Sequence, residues 1–161
     1  MKYKNKLLFC LISLILLSDL IISIKQTTTL AQNSSNEKEV VLEIPLRVTN
    51  NKVFISSLTM NQTLVIKIHG NPTTGYGWYL ENYQNLNSSG LNPLNLNEYG
   101  STDEYKTDPH PAGFVGVPGS YYFRFQPIKS QVSLNLVFIN KRPWMPEEDV
   151  KRVVVTVNIA G

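Results

Sequence analysis

The chain reads as all-β, an immunoglobulin-like antiparallel β-sandwich of about seven or eight strands. Two observations predict this. Beyond Glu39 the apolar residues recur with period two, and no window carries a convincing helical stripe. The runs are also short, and they are separated by clusters of glycine, proline and asparagine, the residues that end strands and shape turns.

Segments 40–48 and 52–58 are β-branched runs that open the sandwich. Leu64, Ile66 and Ile68 then alternate with Val65, Lys67 and His69. Residues 77–81 make a short aromatic strand, and Trp78 is expected to be the buried tryptophan on the strand after the first sheet crossing. Residues 82–100 (NYQNLNSSGLNPLNLNEYG) are asparagine-rich and read as a surface connection of variable shape. Tyr121, Phe123 and Phe125 alternate with Tyr122 and Arg124, and the same period governs Val132, Leu134, Leu136 and Phe138. Val153, Val155, Val157 and Ile159 form the last strand of a domain spanning 39–161.

The N-terminus follows other rules. Lys2, Lys4 and Lys6 precede an apolar run from Leu7 to Leu17 with a weaker continuation through Ile24, the pattern of a secretory leader. Thr29 and Ala31 put small residues three before and immediately before a cut, so residues 1–31 are expected to be the signal peptide. Asp19 interrupts the apolar stretch, which argues against a permanent span of about 20 apolar residues and leaves an uncleaved signal anchor as the alternative. Residues 32–38 are polar and read as a flexible lead-in.

Loss of the leader removes four lysines and one aspartate from 15 basic and 12 acidic side chains, leaving 11 of each. A mature chain of zero formal charge has no electrostatic footprint for nucleic acid and, once the leader is gone, no membrane segment. Cys10 is the only cysteine and lies in the leader, so the mature chain has no disulfide, no thiolate nucleophile and no thiolate metal site. His69 and His110 are too isolated to make a metal site, and no cofactor is expected. Three sequons, at Asn33, Asn61 and Asn87, fit a secreted chain, whether it stays in vesicles or vacuoles or leaves the cell.

Three of the breaks between strands are distinctive. Residues 71–76 (NPTTGY) hold a proline, two threonines and a glycine with no acid, base or thiol. Residues 107–119 (TDPHPAGFVGVPG) hold three prolines and three glycines around Phe114 and Val115. Residues 140–149 (NKRPWMPEED) place Trp144 between Pro143 and Pro146. In an antiparallel sandwich the loops after His69 and Asn140 fall at one end, and the middle loop can join them there.

This ordered set, NPTTGY before a tryptophan, then GVPGSYYFRF, then RPW, resembles the chagasin family of cysteine protease inhibitors over essentially the whole mature chain. The departure is Gly116-Val117-Pro118-Gly119, where the family pattern is Gly-x-Gly-Gly. The resemblance implies an inhibitor of papain-like, cathepsin-like proteases, its own or a host's, with three loops wedged into the active-site cleft, and a monomer is the expected state. Asn71, Pro72, Thr73, Thr74, Gly75 and Tyr76 would then sit over the catalytic Cys and His. Gly116, Val117, Pro118 and Gly119 would lie on the non-primed side and bond through their backbone. Arg142, Pro143 and Trp144 would cover the primed side, with the indole stacking on aromatic residues there.

Elementary chemistry is compatible with those roles. Pro72 fixes one φ, the Asn71 side chain can bond its own backbone, and Gly75 permits a reversal, so the loop is stiff before it binds. Other readings fit the same residues. NPTTG is ordinary turn chemistry, Trp144 could pack on its own sandwich, and Arg142 could be a solvated charge. An enzyme would need Thr73 as nucleophile with His69 as base, and the sequence offers no obvious acid partner for that pair. A secreted adhesion or carbohydrate-binding module would use Trp144, Tyr76 and Tyr79 as stacking surfaces.

Overall fold

The computed structural model describes residues 38–45, 47, 51–145 and 150–161. The expected signal peptide, nearly all of the lead-in and parts of the first expected strand lie outside these residues, as do Pro146 to Asp149. Nine strands occur among the described residues: β1 (Lys38–Ile44), β2 (Lys52–Leu58), β3 (Gln62–Gly70), β4 (Gly77–Leu80), β5 (Leu91–Pro93), β6 (Tyr105–Thr107), β7 (Gly119–Pro127), β8 (Val132–Lys141) and β9 (Lys151–Ile159). They form two sheets, one ordered β1-β3-β7 with β5 and β6 sharing the far edge of β7, the other ordered β2-β9-β8-β4.

The period-two pattern builds the core directly. Leu64, Ile66, Phe123 and Phe125 point inward from one sheet, and Leu136, Phe138, Val153, Val155 and Val157 from the other, all with no exposed surface. Phe123 and Phe138 meet across the layers with ring centroids 4.9 Å apart and planes at 64°, the edge-to-face arrangement that aromatic quadrupoles favour. Trp78 is buried at the start of β4, as expected, and its indole N–H donates to the His69 carbonyl at 3.2 Å. Outside the core, Arg124 donates to Glu104 at 2.8 Å and to Glu39 at 2.6 Å, tying β7 to β1 and to the segment before β6.

Two pairs run parallel rather than antiparallel. β1 lies along β3, with Lys38 opposite Gln62 and Ile44 opposite Ile68, and β2 lies along β9, with Lys52 opposite Val153 and Leu58 opposite Ile159. Alternation reports which face a side chain takes and says nothing of the direction of the neighbouring strand, so the sequence pattern could not separate the two cases.

Residues 82–100 depart from the expected variable connection. They contain a 3-10 turn (Tyr83–Asn85) running into a helical turn, α1 (Leu86–Ser89), and β5, and they bury Leu86 and Leu91 in the core. The segment closes against β4 through Leu80 N–H to the Gly100 carbonyl at 2.7 Å, and the following Ser101 hydroxyl donates to the Trp78 carbonyl at 2.7 Å. Two isolated leucines in an asparagine-rich stretch have no periodicity, which hid their role in the sequence.

Candidate functional site

β3 ends at Gly70 and β8 at Lys141, and β7 begins at Gly119, so the loops that follow or precede them meet at one end of the sandwich. Asn71 organises the first. Its backbone is extended, its side-chain oxygen accepts from the Thr73 N–H at 3.1 Å and the Thr73 hydroxyl at 2.7 Å, and it caps a 3-10 turn, Pro72–Thr74. The Thr74 hydroxyl returns to the Asn71 carbonyl at 2.6 Å, and the Gly75 N–H donates to the Pro72 carbonyl at 2.9 Å. Gly75 reverses the chain at φ 81°, in the left-handed region that glycine enters without strain. Both threonine hydroxyl protons are therefore spent inside the loop, which makes these side chains stiffeners of the loop itself.

The same Asn71 side chain reaches the middle loop, donating from Nδ2 to the Gly116 carbonyl at 2.8 Å. At its root the middle loop is closed by the Asp108 N–H to the Pro118 carbonyl at 2.9 Å and held to β3 by Asp108, whose carboxylate lies 2.8 Å from His69 Nε2. Gly116 takes φ 72° beside Thr73. Gly119 is buried in β7, where a Cβ would stand 2.2 Å from the Lys106 carbonyl oxygen, so its smallness lets β6 approach. Of the expected stretch, Gly116 is exposed while Val117 and Pro118 are half-buried. The tip is apolar, with Phe114 64% and Val115 94% exposed. The sequence shows those two residues as an apolar pair inside a glycine–proline loop, next to and outside the Gly116–Gly119 stretch that the resemblance assigns to this loop.

The third loop is locked to the first by Arg142. Its guanidinium donates to the Thr74 carbonyl at 3.0 Å, stacks 4.5 Å from the Tyr76 ring centroid and approaches Met145 Sδ at 3.7 Å. The solvated surface charge that the sequence left open is thus a half-buried clamp. Its Nε is buried with no partner among the described residues. Met145 N–H closes a turn onto the Arg142 carbonyl at 3.1 Å, carrying Pro143 and Trp144 across its top. The edge of the Trp144 six-membered ring lies over Gly75, 3.0 Å from where a Cβ would be, yet the residue is 71% exposed. It leans on the first loop instead of entering the core.

These contacts bear on the rival chemistries. Thr73 donates to Asn71, His69 Nε2 faces Asp108, and His69 Nδ1 is buried, so no hydrogen bond joins the nucleophile and base an enzyme would need. The sequence had offered His69 no acid partner, and Asp108, thirty-nine positions away, supplies one as a loop anchor. One face of Tyr76 is covered by Arg142, and Lys141 lies 5.8 Å from the Tyr79 ring centroid, so two of the three aromatics that a stacking surface would use already carry a cation against them.

Residues 57–159, which include all three loops, match the family model of the chagasin-family peptidase inhibitors. The chain belongs to that family. Within it, the chain is similar to amoebiasin-1 of Entamoeba histolytica, 27% identical over 110 residues that span 68% of this chain and 93% of the relative. It is also similar to amoebiasin-2 of the same organism, 30% identical over 88 residues, 54% of this chain and 61% of the relative. The crystal structure of the cysteine protease inhibitor EhICP2 from Entamoeba histolytica shares the fold, with a TM-score of 0.52 at 21% identity over 75% of this chain and 96% of that one. The family match begins only at Ser57, so β1 and β2 up to Ser56 lie outside it, while β3 to β9 lie within it.

Proposed function

We propose that this protein is a reversible, tight-binding inhibitor of papain-like cysteine proteases that fills the active-site cleft with residues 71–76, 113–118 and 142–145. The observation that carries the reading is the interlocking of three loops into one wedge: Asn71 to Gly116, Arg142 to Thr74, and Trp144 on Gly75. A body locked before binding pays little ordering entropy on association. Apart from Arg142 the wedge carries no charged side chain, and its tip is partly apolar, with Phe114, Val115 and Trp144 exposed for burial against an enzyme.

Resistance to cleavage follows from the same bonds. A cysteine protease must polarise the carbonyl it attacks. The carbonyl oxygens of Asn71, Pro72 and Thr74 are already accepting from Thr74, Gly75 and Arg142, and they are held in the loop's own geometry. No reactive group of the inhibitor takes part, so the complex is noncovalent. The inhibitor acts as a monomer. The leader expected at residues 1–31 sends it to the secretory pathway, where its own or a host's papain-like enzymes are the targets.

Preincubation with active-site-titrated papain tests the reading. Near-stoichiometric loss of activity, full recovery on dilution and no covalent adduct in intact mass are the expected results. Ester hydrolysis by the protein alone, or no inhibition at micromolar concentration, would overturn it.

A further inference from the structure

We infer that Asn61 and Asn87 are N-glycosylation sites that decorate the end of the sandwich opposite the wedge. The inference rests on the secretory reading above. Both residues open an Asn-x-Ser/Thr sequence, Asn61-Gln62-Thr63 and Asn87-Ser88-Ser89. Both are exposed. The third sequon, at Asn33, lies outside the described residues.

Their position is what the sequence could not show. Asn61 sits in the turn between β2 and β3, and β3 runs from Gln62 to Gly70 before the wedge begins at Asn71. Eight steps of about 3.3 Å separate those strand ends by about 26 Å. Asn87 lies on α1, whose Ser88 carbonyl accepts from Lys129 at 2.7 Å and whose following Gly90 carbonyl accepts from the Ile128 N–H at 2.9 Å. Lys129 and Ile128 come just after β7, which starts beside the wedge at Gly119 and ends at Pro127. Both sequons therefore share the far end.

Both side chains also suit the attachment. The Asn61 Oδ1 accepts from the Thr59 hydroxyl at 2.7 Å, which fixes the amide and leaves Nδ2 as the atom to be substituted. Asn87 stands on a turn held rigid by buried Leu86. In the transfer the amide nitrogen attacks the anomeric carbon of a diphospholipid-linked oligosaccharide. The C–N bond forms as the C–O bond to the diphosphate breaks, the lipid diphosphate leaves, and one amide proton passes to a base of the transferase. Bulky, hydrated sugars placed there cover the far end and leave the wedge free.

The test is translation of the full chain with endoplasmic-reticulum microsomes, scored by protease protection and by mass before and after peptide N-glycosidase. The translocated chain should lose one glycan-sized step in each of Thr63→Val and Asn61→Gln, and one in each of Ser89→Ala and Asn87→Gln, so that each site is removed by two independent changes. Papain inhibition by the glycosylated and enzymatically stripped chains should agree within twofold. A translocated chain unmodified at these positions overturns this inference alone. A chain left outside the microsomes overturns it together with the secretory reading. More than tenfold weaker inhibition by the glycosylated form would place the glycans at the wedge and overturn the assignment of ends.

Discussion

Removal of the Arg142 guanidinium separates a clamp from a rim charge. Arg142→Ala deletes a charge-assisted hydrogen bond to the Thr74 carbonyl and a stack on Tyr76. A hydrogen bond to a charged group contributes about 1.5–3 kcal/mol where it is shielded, and a cation–π contact at an accessible site about 0.5–1 kcal/mol. Arg142 is only half-buried, so the lower values apply and about 2 kcal/mol is the expected loss in binding, roughly thirtyfold in affinity. A clamp acts before the enzyme arrives: without it the first and third loops sample open arrangements, and the association rate falls with the competent fraction. A rim charge would instead leave a difference that salt erases. The assay is stopped-flow inhibition of papain by the parent, Arg142→Ala and Arg142→Lys at two ionic strengths, with thermal melts alongside. Lysine keeps the charge and loses the planar fork and stack, so it should recover only part of the loss. Full recovery by lysine, a loss that vanishes at high salt, or affinity within twofold of the parent for Arg142→Ala would refute the clamp.

Trp144→Ala should weaken inhibition by roughly 2 kcal/mol, mainly through faster dissociation, while leaving the melting temperature almost unchanged because the residue is 71% exposed. Gly119→Ala should do the reverse, lowering stability by about 2 kcal/mol in urea melts, because a Cβ there meets the Lys106 carbonyl. Thr73→Ala should cost about 1 kcal/mol of affinity through loss of its bond to Asn71, measured as an inhibition constant. The hydrogen bonds from Arg124 hold the Glu104 carboxyl below its ordinary 4.5. A depressed carboxyl stabilises the fold above its unfolded value and loses that contribution as pH falls through the folded one, so melting temperature should drop from about pH 4.5 downward. Glu104→Gln should be less stable at neutral pH and show a shallower acid limb in the same melts.

Much of the fold was legible because each long strand carries its own alternation. Leu64, Ile66 and Ile68 identify a face without reference to anything else in the chain, and Trp78 follows from its place on the next strand. The family's ordered motifs likewise marked the three loops, and the structure brings those loops together. What the sequence hid are relations between distant residues. Arg142 is any arginine until the Thr74 carbonyl is beside it, and Asp108 is any loop acid until β6 carries it to His69. Gly119 resembles its neighbour Gly116, yet one is wedged between strands and the other supports a positive φ at the tip. Leu86 and Leu91 lack a periodic context, and only the closed core shows that two residues can anchor a segment.

The parallel partnership of β2 with β9 also sets an order of assembly. Lys52 to Leu58 pair with Val153 to Ile159, so a strand made early waits for one made roughly a hundred residues later, whereas β8 finds β4 already made on its other edge. Long-range pairing of this kind is slow, because the loop must close before any contact rewards it. During synthesis one half of the sandwich can pair β1 with β3 while Phe54 and Leu58 remain without the sheet that covers them, on a chain with no cysteine beyond Cys10 to tether it. The nascent polypeptide is then most exposed to self-association between completion of β3 and arrival of β9.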